Sequence, residues 1–405
     1  MAATITASAQ NYLEDLVEEL EISDARYEQA EKSYESLGAW LNRPQSAIAR
    51  FDPAVYVQGS FGLGTVIKPL ADDKEYDIDA VCEFQSLDKP DVTQQQLKTM
   101  LGGEMESYRR SQAMVKPLHE GRRCWTLRYA DGAQFHMDVV PALPNGETTR
   151  LLVEAKHLDT RWTETAIAIT DNERVDYAIL THDWPRSNPK GYLRWFRSRM
   201  EPILQKRKKV LADAVQASVE DIPDYRVRTP LQQAIMILKR HRDIMYLSDE
   251  IHCCPISIII TTLAAHAYRG EERIADALIS ILSGMELHIE RDEAQRAVIP
   301  NPSDPLENFA DKWHEFPERE QAFFTWLRQA QQDFIVAAAL TERRLVREKL
   351  EKHMGSDLAK RADERRRAES PGGMLRPAAA AAAGAHSAPA FGDVPRTPTK
   401  PKGFA

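Results

Sequence analysis

This 405-residue chain has no long hydrophobic run, few cysteines and no excess of positive charge. No run of 18 apolar residues occurs, so no membrane-spanning helix is expected. The first ten residues lack the basic start and apolar core of a signal peptide. Four cysteines are too few for a disulfide framework and suit a reducing cytosol. These absences predict a cytoplasmic protein with no membrane partner.

The charge balance limits the class of partner. The formal net charge is −8, and without a local basic stripe this disfavours a long nucleic acid as substrate, although it leaves nucleotides open. Hydrophobic residues make up 43% of the chain and charged residues 28%, which is ordinary for a globular protein. The length is enough for about two to three domains.

Two short motifs lie close together in the first quarter of the chain. A glycine-rich stretch, Val57-Gln58-Gly59-Ser60-Phe61-Gly62-Leu63-Gly64-Thr65, precedes Glu75-Tyr76-Asp77-Ile78-Asp79. Since side chains alternate along a strand, Asp77 and Asp79 point to the same face. Two carboxylates there repel each other unless a cation lies between them, and Mg²⁺ takes few carboxylates and shares its other ligand positions with phosphates and water. A glycine-rich loop can offer N–H groups to those phosphates. The motifs predict a metal-and-triphosphate site.

A third carboxylate, Asp138, lies on a predicted strand over residues 134–141. The alternating segment 122–129 precedes it, and Asp131-Gly132 between them predicts a two-residue hairpin turn. A charge on a strand of core character is costly unless it is paired or metal-bound. We therefore expect Asp138 to complete the carboxylate pair, and we interpret His136 as a packed strand residue rather than a base.

The rest of the chain predicts an α+β protein. The N-terminal core would contain one long spine helix (8–42), strands (54–59 and 76–84), a helix (91–110), a strand-rich stretch (147–181) and a helix (192–217). Helices would follow at 231–246, 256–267 (buried all round), 271–289 and 317–354, with irregular structure at 299–305. After about Ser370 the composition becomes rich in alanine and proline, which predicts disorder. The predicted domains are 1–215, 216–370 and the tail 371–405.

The order of these motifs resembles a known superfamily. A Gly-Ser turn, an Asp-x-Asp pair and a distant strand Asp are together typical of polymerase-β-like nucleotidyltransferases. The loop 59–65 resembles that of the oligoadenylate synthetase and cGAS branch. The stretches 184–195, 239–243 and 301–309 resemble the bacterial cGAS/DncV-like enzymes of CBASS anti-phage systems. The resemblance covers about residues 8–350, and the sixteen residues between Ser60 and Asp77 exceed the usual spacing.

This resemblance implies a polymerase-β-like core of mixed sheet and helices, followed by a helical bundle similar to that of oligoadenylate synthetase. It also implies a site with two Mg²⁺ ions about 4 Å apart, for which Mn²⁺ can substitute. Asp77 and Asp79 would bridge both ions, and Asp138 would bind the ion that activates the attacking hydroxyl.

The resemblance also assigns the nucleotide contacts. Gln58, Gly59 and Ser60 would hold the phosphates, and Lys239 and Ser257 would grip the donor triphosphate. A solvated helix lysine and a core serine bonded to its own helix are the alternatives for the last two. For the segment 252–254, His-Cys-Cys, a zinc site and buried structural cysteines are both considered, and the missing fourth ligand favours the second.

Three hypotheses for function follow. By resemblance, the enzyme joins ATP and a second NTP into a cyclic di- or trinucleotide with adenine and 3′–5′ linkages, which acts on a downstream effector in anti-phage defence. An alternative is nucleotide transfer to an RNA end or a protein, of which the RNA version is disfavoured by the charge. A third is that the tail is an interaction handle, conjugated through Ala405 by a ubiquitin-activating-like enzyme; a plain solubilising tail is the alternative.

Overall fold

The computed structural model describes residues 5–70, 75–129, 135–216, 218–249 and 252–369. Its helices are α1 (Ala7–Leu20), α2 (Asp24–Leu41), α3 (Gly59–Leu63), α4 (Gln94–Ser111), α5 (Gly146–Glu154), α6 (Pro189–Val215), α7 (Pro230–Met245), α8 (Ser257–Ala267), α9 (Ile274–Gly284), α10 (Asp311–Glu315), α11 (Pro317–Ala339), α12 (Arg343–Met354) and α13 (Ser356–Glu369). Its strands are β1 (Pro53–Val57), β2 (Tyr76–Phe84), β3 (His119–Glu120), β4 (Trp125–Arg128), β5 (Phe135–Pro144), β6 (Ile167–Ile169), β7 (Arg186–Ser187), β8 (Glu290–Arg291), β9 (Ala297–Val298), β10 (Pro300–Asn301) and β11 (Asp304–Asn308). The predicted turn Asp131-Gly132 and the tail with Ala405 lie outside the described residues.

The main sheet has the strand order β1-β2-β5-β4-β3, and β6 pairs with both β5 and β7. β2 and β5 are parallel, whereas β1–β2 and β4–β5 are antiparallel. One face of β2 and β5, including Ile78 and Met137, is fully buried against α2 and α4. Because side chains alternate along each strand, the other face carries the polar residues. The predicted strand at 76–84 is confirmed.

A second core lies among α1, α7, α8, α9, α11 and α12. α8 is apolar nearly all round, and Ile260, Leu263 and Ala264 in it have no exposed surface. The expectation of a buried core helix over 256–267 is confirmed. Sheet and helices together give the predicted α+β class, while the boundary between residues 215 and 216 stays a prediction. Among the described residues, no helix is long and apolar enough to cross a membrane.

The prediction of one N-terminal helix over 8–42 is wrong, because extended residues separate α1 from α2. α1 buries Leu13 and Leu16 in the helical core, whereas α2 buries Leu37 and Leu41 in the sheet core. The two apolar stripes therefore serve different cores, and the chain changes direction between them. Ile22 lies between the two helices and packs with neighbouring side chains in a separate, smaller hydrophobic cluster.

Three further predictions need correction. The stretch 147–181 is not strand-rich: it contains nearly all of α5 and, as strand, only the short β6. The segment 299–305 is not wholly irregular, because β10 and β11 form a two-stranded sheet around its turn. The helix over 317–354 is interrupted between α11 and α12. In each case a short turn or tertiary contact outweighs the local pattern.

The contact between His266 and His288 predicts that the folded protein loses stability at acidic pH. The two rings stack with centroids 5.3 Å apart, and Trp195 packs against His266. Burial, with His288 and Arg199 adding to it, lowers the pKa of His266 from 6.5 to about 4. The unfolded chain therefore binds the proton first, and stability is lost as the pH falls from about 6.5 towards 4.

The wild-type protein should lose unfolding free energy between pH 7 and pH 5, and we expect His266→Gln to make this loss smaller by about 1–2 kcal/mol. This value includes a discount for solvent screening, because the His266 ring is only half-buried. Urea titrations at both pH values measure this change. The exposed His314, as His314→Gln, is the matched control and should leave the loss as in the wild type. Equal losses in wild type and His266→Gln would contradict the prediction.

Candidate active site

Three aspartates meet on the open face of the sheet. β2 and β5 run side by side, with Asp79 opposite Asp138 and Asp77 opposite His136. Paired residues of adjacent strands point to the same face, and so do residues two apart on one strand. Asp77, Asp79 and Asp138 therefore share the face opposite the buried Ile78 and Met137. The structure brings together the three carboxylates that the sequence singles out.

The three carboxylates have unequal surroundings. Partial burial, then the charges of Asp77 and Asp138, raise the pKa of Asp79 to about 6. A hydrogen bond from His136, whose Nε2 lies 2.9 Å from Asp77 Oδ1, lowers the pKa of Asp77. Thr126 Oγ1 donates to Asp138 Oδ1 at 2.5 Å. These surroundings therefore disfavour the charged form of Asp79 and favour that of Asp77.

This donor set fits a hard divalent cation. Carboxylate oxygens are the ligands that Mg²⁺ and Mn²⁺ prefer. The repulsion that raises the pKa of Asp79 is the repulsion that a cation would relieve. Asp77, Asp79 and Asp138 are therefore the residues that would hold the predicted metal ions. Within the described residues their oxygens do not all lie within 4.8 Å of one another, so the side chains would have to turn towards a shared ion.

The glycine-rich loop touches Asp79 directly. Gln58 N–H donates to the carbonyl of Asp79 at 2.8 Å. Gly59 has φ +60°, and a Cβ placed on it would lie only 2.1 Å from Asp79 Oδ2. A residue with a side chain at this position would displace the carboxylate. Ser60 follows in the short helix α3, so the phosphate-binding candidates and the carboxylates form one continuous surface.

The helix α7 fixes the chain that follows the loop. Gln232 Nε2 donates to the carbonyl of Leu63, and Lys239 Nζ to that of Thr65, both at 2.9 Å. Arg240 donates to the carbonyl of Lys68. Lys239 and Arg240 follow Gln232 by seven and eight residues, a spacing that places all three donors on one face of the helix. The loop is therefore held between the sheet and the helical core.

Lys239 is not a solvated helix lysine, since only 8% of its surface is exposed. Burial, and next the charge of Arg242, lower its pKa to about 8. Within the described residues its ammonium group donates one hydrogen bond, to the carbonyl of Thr65, and keeps donors for a further partner. Ser257 begins α8, and its hydroxyl accepts from Arg242 at 3.2 Å. The phosphate roles of both residues stay predictions.

Two cavities open on either side of Asp79. The first, about 440 Å³, includes among its lining residues Gly59, Ser60, Asp77, Asp79, Lys239, Arg242, Asp243 and Ser257. The second, about 300 Å³, is lined at its polar parts by Gln58, Asp79, Ser187, Asn188, Asn301 and Glu307. Gly59, Leu63, Asp79 and Ile258 line both cavities. Two small molecules could thus approach the same carboxylate from different directions.

Comparisons with known proteins agree with this geometry. Residues 8–176 match the Second Messenger Oligonucleotide or Dinucleotide Synthetase domain. A protein of Roseivirga ehrenbergii named c-di-GMP synthase is 29% identical over 332 residues, which cover 80% of this chain and 79% of that protein. The cyclic dinucleotide synthase CdnG of Bradyrhizobium diazoefficiens is 27% identical over 75% of this chain and 70% of its own.

A solved structure of the Bradyrhizobium CD-NTase CdnG, in complex with GTP, superimposes with a TM-score of 0.65 at 23% identity. It covers 88% of this chain and 98% of that one. Over most of its length the chain is similar to the cGAS/DncV-like nucleotidyltransferases. The sheet with its three aspartates lies within the matched residues 8–176, and its fold is the polymerase-β-like one that the sequence predicted.

Several residues of the nucleotidyltransferase site escape sequence reasoning. His136 is not merely a packed strand residue: it bonds Asp77, and its Nδ1 lies 3.4 Å from Glu75, which pairs with Lys116. Thr126 orients Asp138 from the neighbouring strand. His136 lies two residues before Asp138, so the two side chains share one face of the strand. This spacing could have predicted that His136 contacts the carboxylate cluster.

Two histidine-containing clusters lie outside the carboxylate site, and the close contacts within them are hydrogen bonds in this structure. Cys253 Sγ lies 3.5 Å from Asp249 Oδ1, and within the described ranges 218–249 and 252–369 no three-ligand group forms around it. His241, Asp333 and His353 converge, but His353 Nδ1 is 2.6 Å from Asp333 Oδ2. Ligands of one tetrahedral ion lie about 3.3 Å apart, so this is a hydrogen bond.

Proposed function

We propose that this chain is a cyclic dinucleotide synthase that joins two nucleoside triphosphates and releases pyrophosphate at each of two steps. The observation that carries the proposal is the position of Asp79 in the walls of two cavities, beside Asp77 and Asp138. A donor triphosphate and an acceptor hydroxyl must meet at one carboxylate cluster, and this arrangement provides for both. The names of the two relatives point to the same class of product.

The chemistry follows from the residues at the first cavity. Gly59, Ser60, Lys239 and Ser257 would bind the donor triphosphate there, so that its α-phosphorus faces the carboxylates. The acceptor hydroxyl attacks this phosphorus, its proton is lost, and the bond to the pyrophosphate breaks. Bound Mg²⁺ would lower the charge on the phosphates and acidify the attacking hydroxyl. Most of the rate enhancement then comes from positioning and charge neutralisation.

The base composition is the finer part of the proposal. An adenine-containing product was expected by resemblance, but one relative is named c-di-GMP synthase, which favours guanine in at least one position. Adenine at the other position, the 3′–5′ linkage and ring size stay predictions. The role in anti-phage defence, the cytoplasmic location and conjugation of the tail through Ala405 are also predictions; intact-mass analysis before and after deletion of Ala405 tests the last.

Incubation of the purified protein with Mg²⁺ and all four NTPs tests the proposed function. We expect pyrophosphate release and a phosphatase-resistant product, whose bases and linkage are read by mass spectrometry and nuclease digestion. Omitting each NTP in turn identifies the bases that are required. If label from an NTP instead moves with an added RNA or protein, the alternative transfer function would replace this one.

A further inference from the structure

The second cavity has the size and lining of a nucleoside site. Its volume of about 300 Å³ lies at the lower end for small-ligand pockets. Leu193, Ile258 and Phe309 give it an apolar lining, and Phe309 offers an aromatic ring for base stacking. Asp79 stands at one polar part and Glu307 at another. A ligand there can place a hydroxyl at the carboxylates and a base edge at Glu307.

Glu307 is fixed in place but not neutralised. Asn301 Nδ2 donates to Glu307 Oε2 at 2.7 Å across the β10–β11 turn. Burial raises the pKa of the Glu307 carboxyl, while the hydrogen bond from Asn301 and the more distant charges of Arg186 and Arg123 oppose that shift. Within the described part of the chain, no cation forms an ion pair with it within 4 Å. The carboxylate remains accessible to solvent where it lines the cavity. It therefore has oxygen lone pairs to accept from a ligand.

The hairpin that carries Glu307 is attached to the catalytic sheet. Arg186 on β7 pairs with Asp304 at 2.9 Å. Asn188 Nδ2 donates to the carbonyl of Ser303 at 2.8 Å, and Ser303 Oγ donates back to the carbonyl of Asn188 at 3.1 Å. These contacts hold β11 at a set distance from the sheet. A polar group on a supported hairpin can discriminate between ligands because its position is preset.

The chemistry of the purines decides which base fits. Guanine presents two adjacent donors, N1–H and the 2-amino group, whereas adenine presents an acceptor at N1. An ionised carboxylate only accepts hydrogen bonds, so it pairs with guanine and is repelled by the N1 lone pair of adenine. We propose that Glu307 selects guanine for the nucleotide that supplies the attacking hydroxyl, from the second cavity. This inference rests on the proposed function and adds the acceptor base to it.

A donor nucleotide without an attacking hydroxyl makes it possible to measure base selection at the acceptor site alone. 2′,3′-Dideoxy-GTP lacks both hydroxyls and serves only as donor, so linear products ending in dideoxyguanosine report the acceptor alone. Equimolar GTP, ITP and ATP compete for it, and mass spectrometry gives the product ratio. We expect wild type to use GTP over ATP by about 10- to 100-fold, the range of one bidentate contact. ITP, which lacks the 2-amino group, should be intermediate.

Glu307→Gln is expected to lower the GTP-to-ATP ratio at least tenfold, because the amide offers adenine a donor and removes one acceptor. Glu307→Ala should also flatten the ratio, and Glu290→Gln on the exposed β8 is the control that keeps it. A ratio in both Glu307 variants within twofold of wild type overturns this inference alone. No pyrophosphate or dinucleotide from wild type with any NTP mixture overturns the proposed function, and this inference with it.

Discussion

Replacing Asp79 with asparagine is expected to lower pyrophosphate release by at least about 10³-fold while leaving the protein as stable as before, or more so. The activity falls because the carboxylate that lines both cavities loses its charge, and charge neutralisation at the phosphates is the largest catalytic contribution expected here. Stability does not fall because Asp79 is crowded by Asp77 and Asp138, and an amide of the same shape removes that repulsion.

The opposite signs of the two effects make the Asp79→Asn experiment informative. Pyrophosphate release and thermal unfolding are measured on the same preparation, the second with and without Mg²⁺. Mg²⁺ should raise the unfolding temperature of wild type and not of the variant. Asp213→Asn, on the exposed side of α6, is the matched control and should behave as wild type. Retained activity in Asp79→Asn, or in Asp77→Asn combined with Asp79→Asn, would show that the carboxylate cluster is not the catalytic site.

The carboxylate cluster could be predicted from the sequence because strand periodicity is a local property. Alternation alone puts Asp77 and Asp79 on one face, and a charged residue within a buried strand marks Asp138. Pairing of the two strands then needs only one correct register, which the structure has at Asp79 and Asp138. The resemblance of the motif order to a known superfamily added the partner residues on α7 and α8.

The contacts made across long sequence distances could not be predicted in this way. Thr126 reaches Asp138 because β4 and β5 are antiparallel in one particular register. Glu307 reaches the site through contacts such as the ion pair between Arg186 and Asp304, which are 118 residues apart. No periodicity encodes such a contact. They depend on how the completed elements pack.

The break in the N-terminal helix has a similar origin. The apolar spacing of 8–42 is helical throughout, so the pattern favours a single helix. The two helices are separate because their apolar faces pack into different cores: Leu16 lies in the helical core and Leu37 in the sheet core. Ser23 before Asp24 was a local signal for a new helix N-terminus. This signal at Ser23 can be interpreted as a helix start only once both cores are known.

Substituting alanine for Gly59 is expected to lower the turnover rate by about 10²-fold, although the residue contributes no side chain of its own. The new Cβ would lie 2.1 Å from Asp79 Oδ2 and 2.9 Å from Asp79 Cγ, so the carboxyl must move by about 1 Å. The φ of +60° adds about 1–2 kcal/mol of strain for alanine. We expect a lower unfolding free energy and a lower kcat, and a smaller change in KM for the donor.

Gly103 provides the control for Gly59→Ala, because it lies within α4 and a Cβ there meets no atom within 4 Å. Gly103→Ala should keep wild-type turnover and raise the unfolding free energy by up to about 1 kcal/mol, the usual gain in a helix interior. Steady-state kinetics and urea unfolding compare the two variants directly. Wild-type turnover in Gly59→Ala would mean that the loop does not fix the Asp79 carboxylate, because the same added methyl group would then be harmless at both glycines.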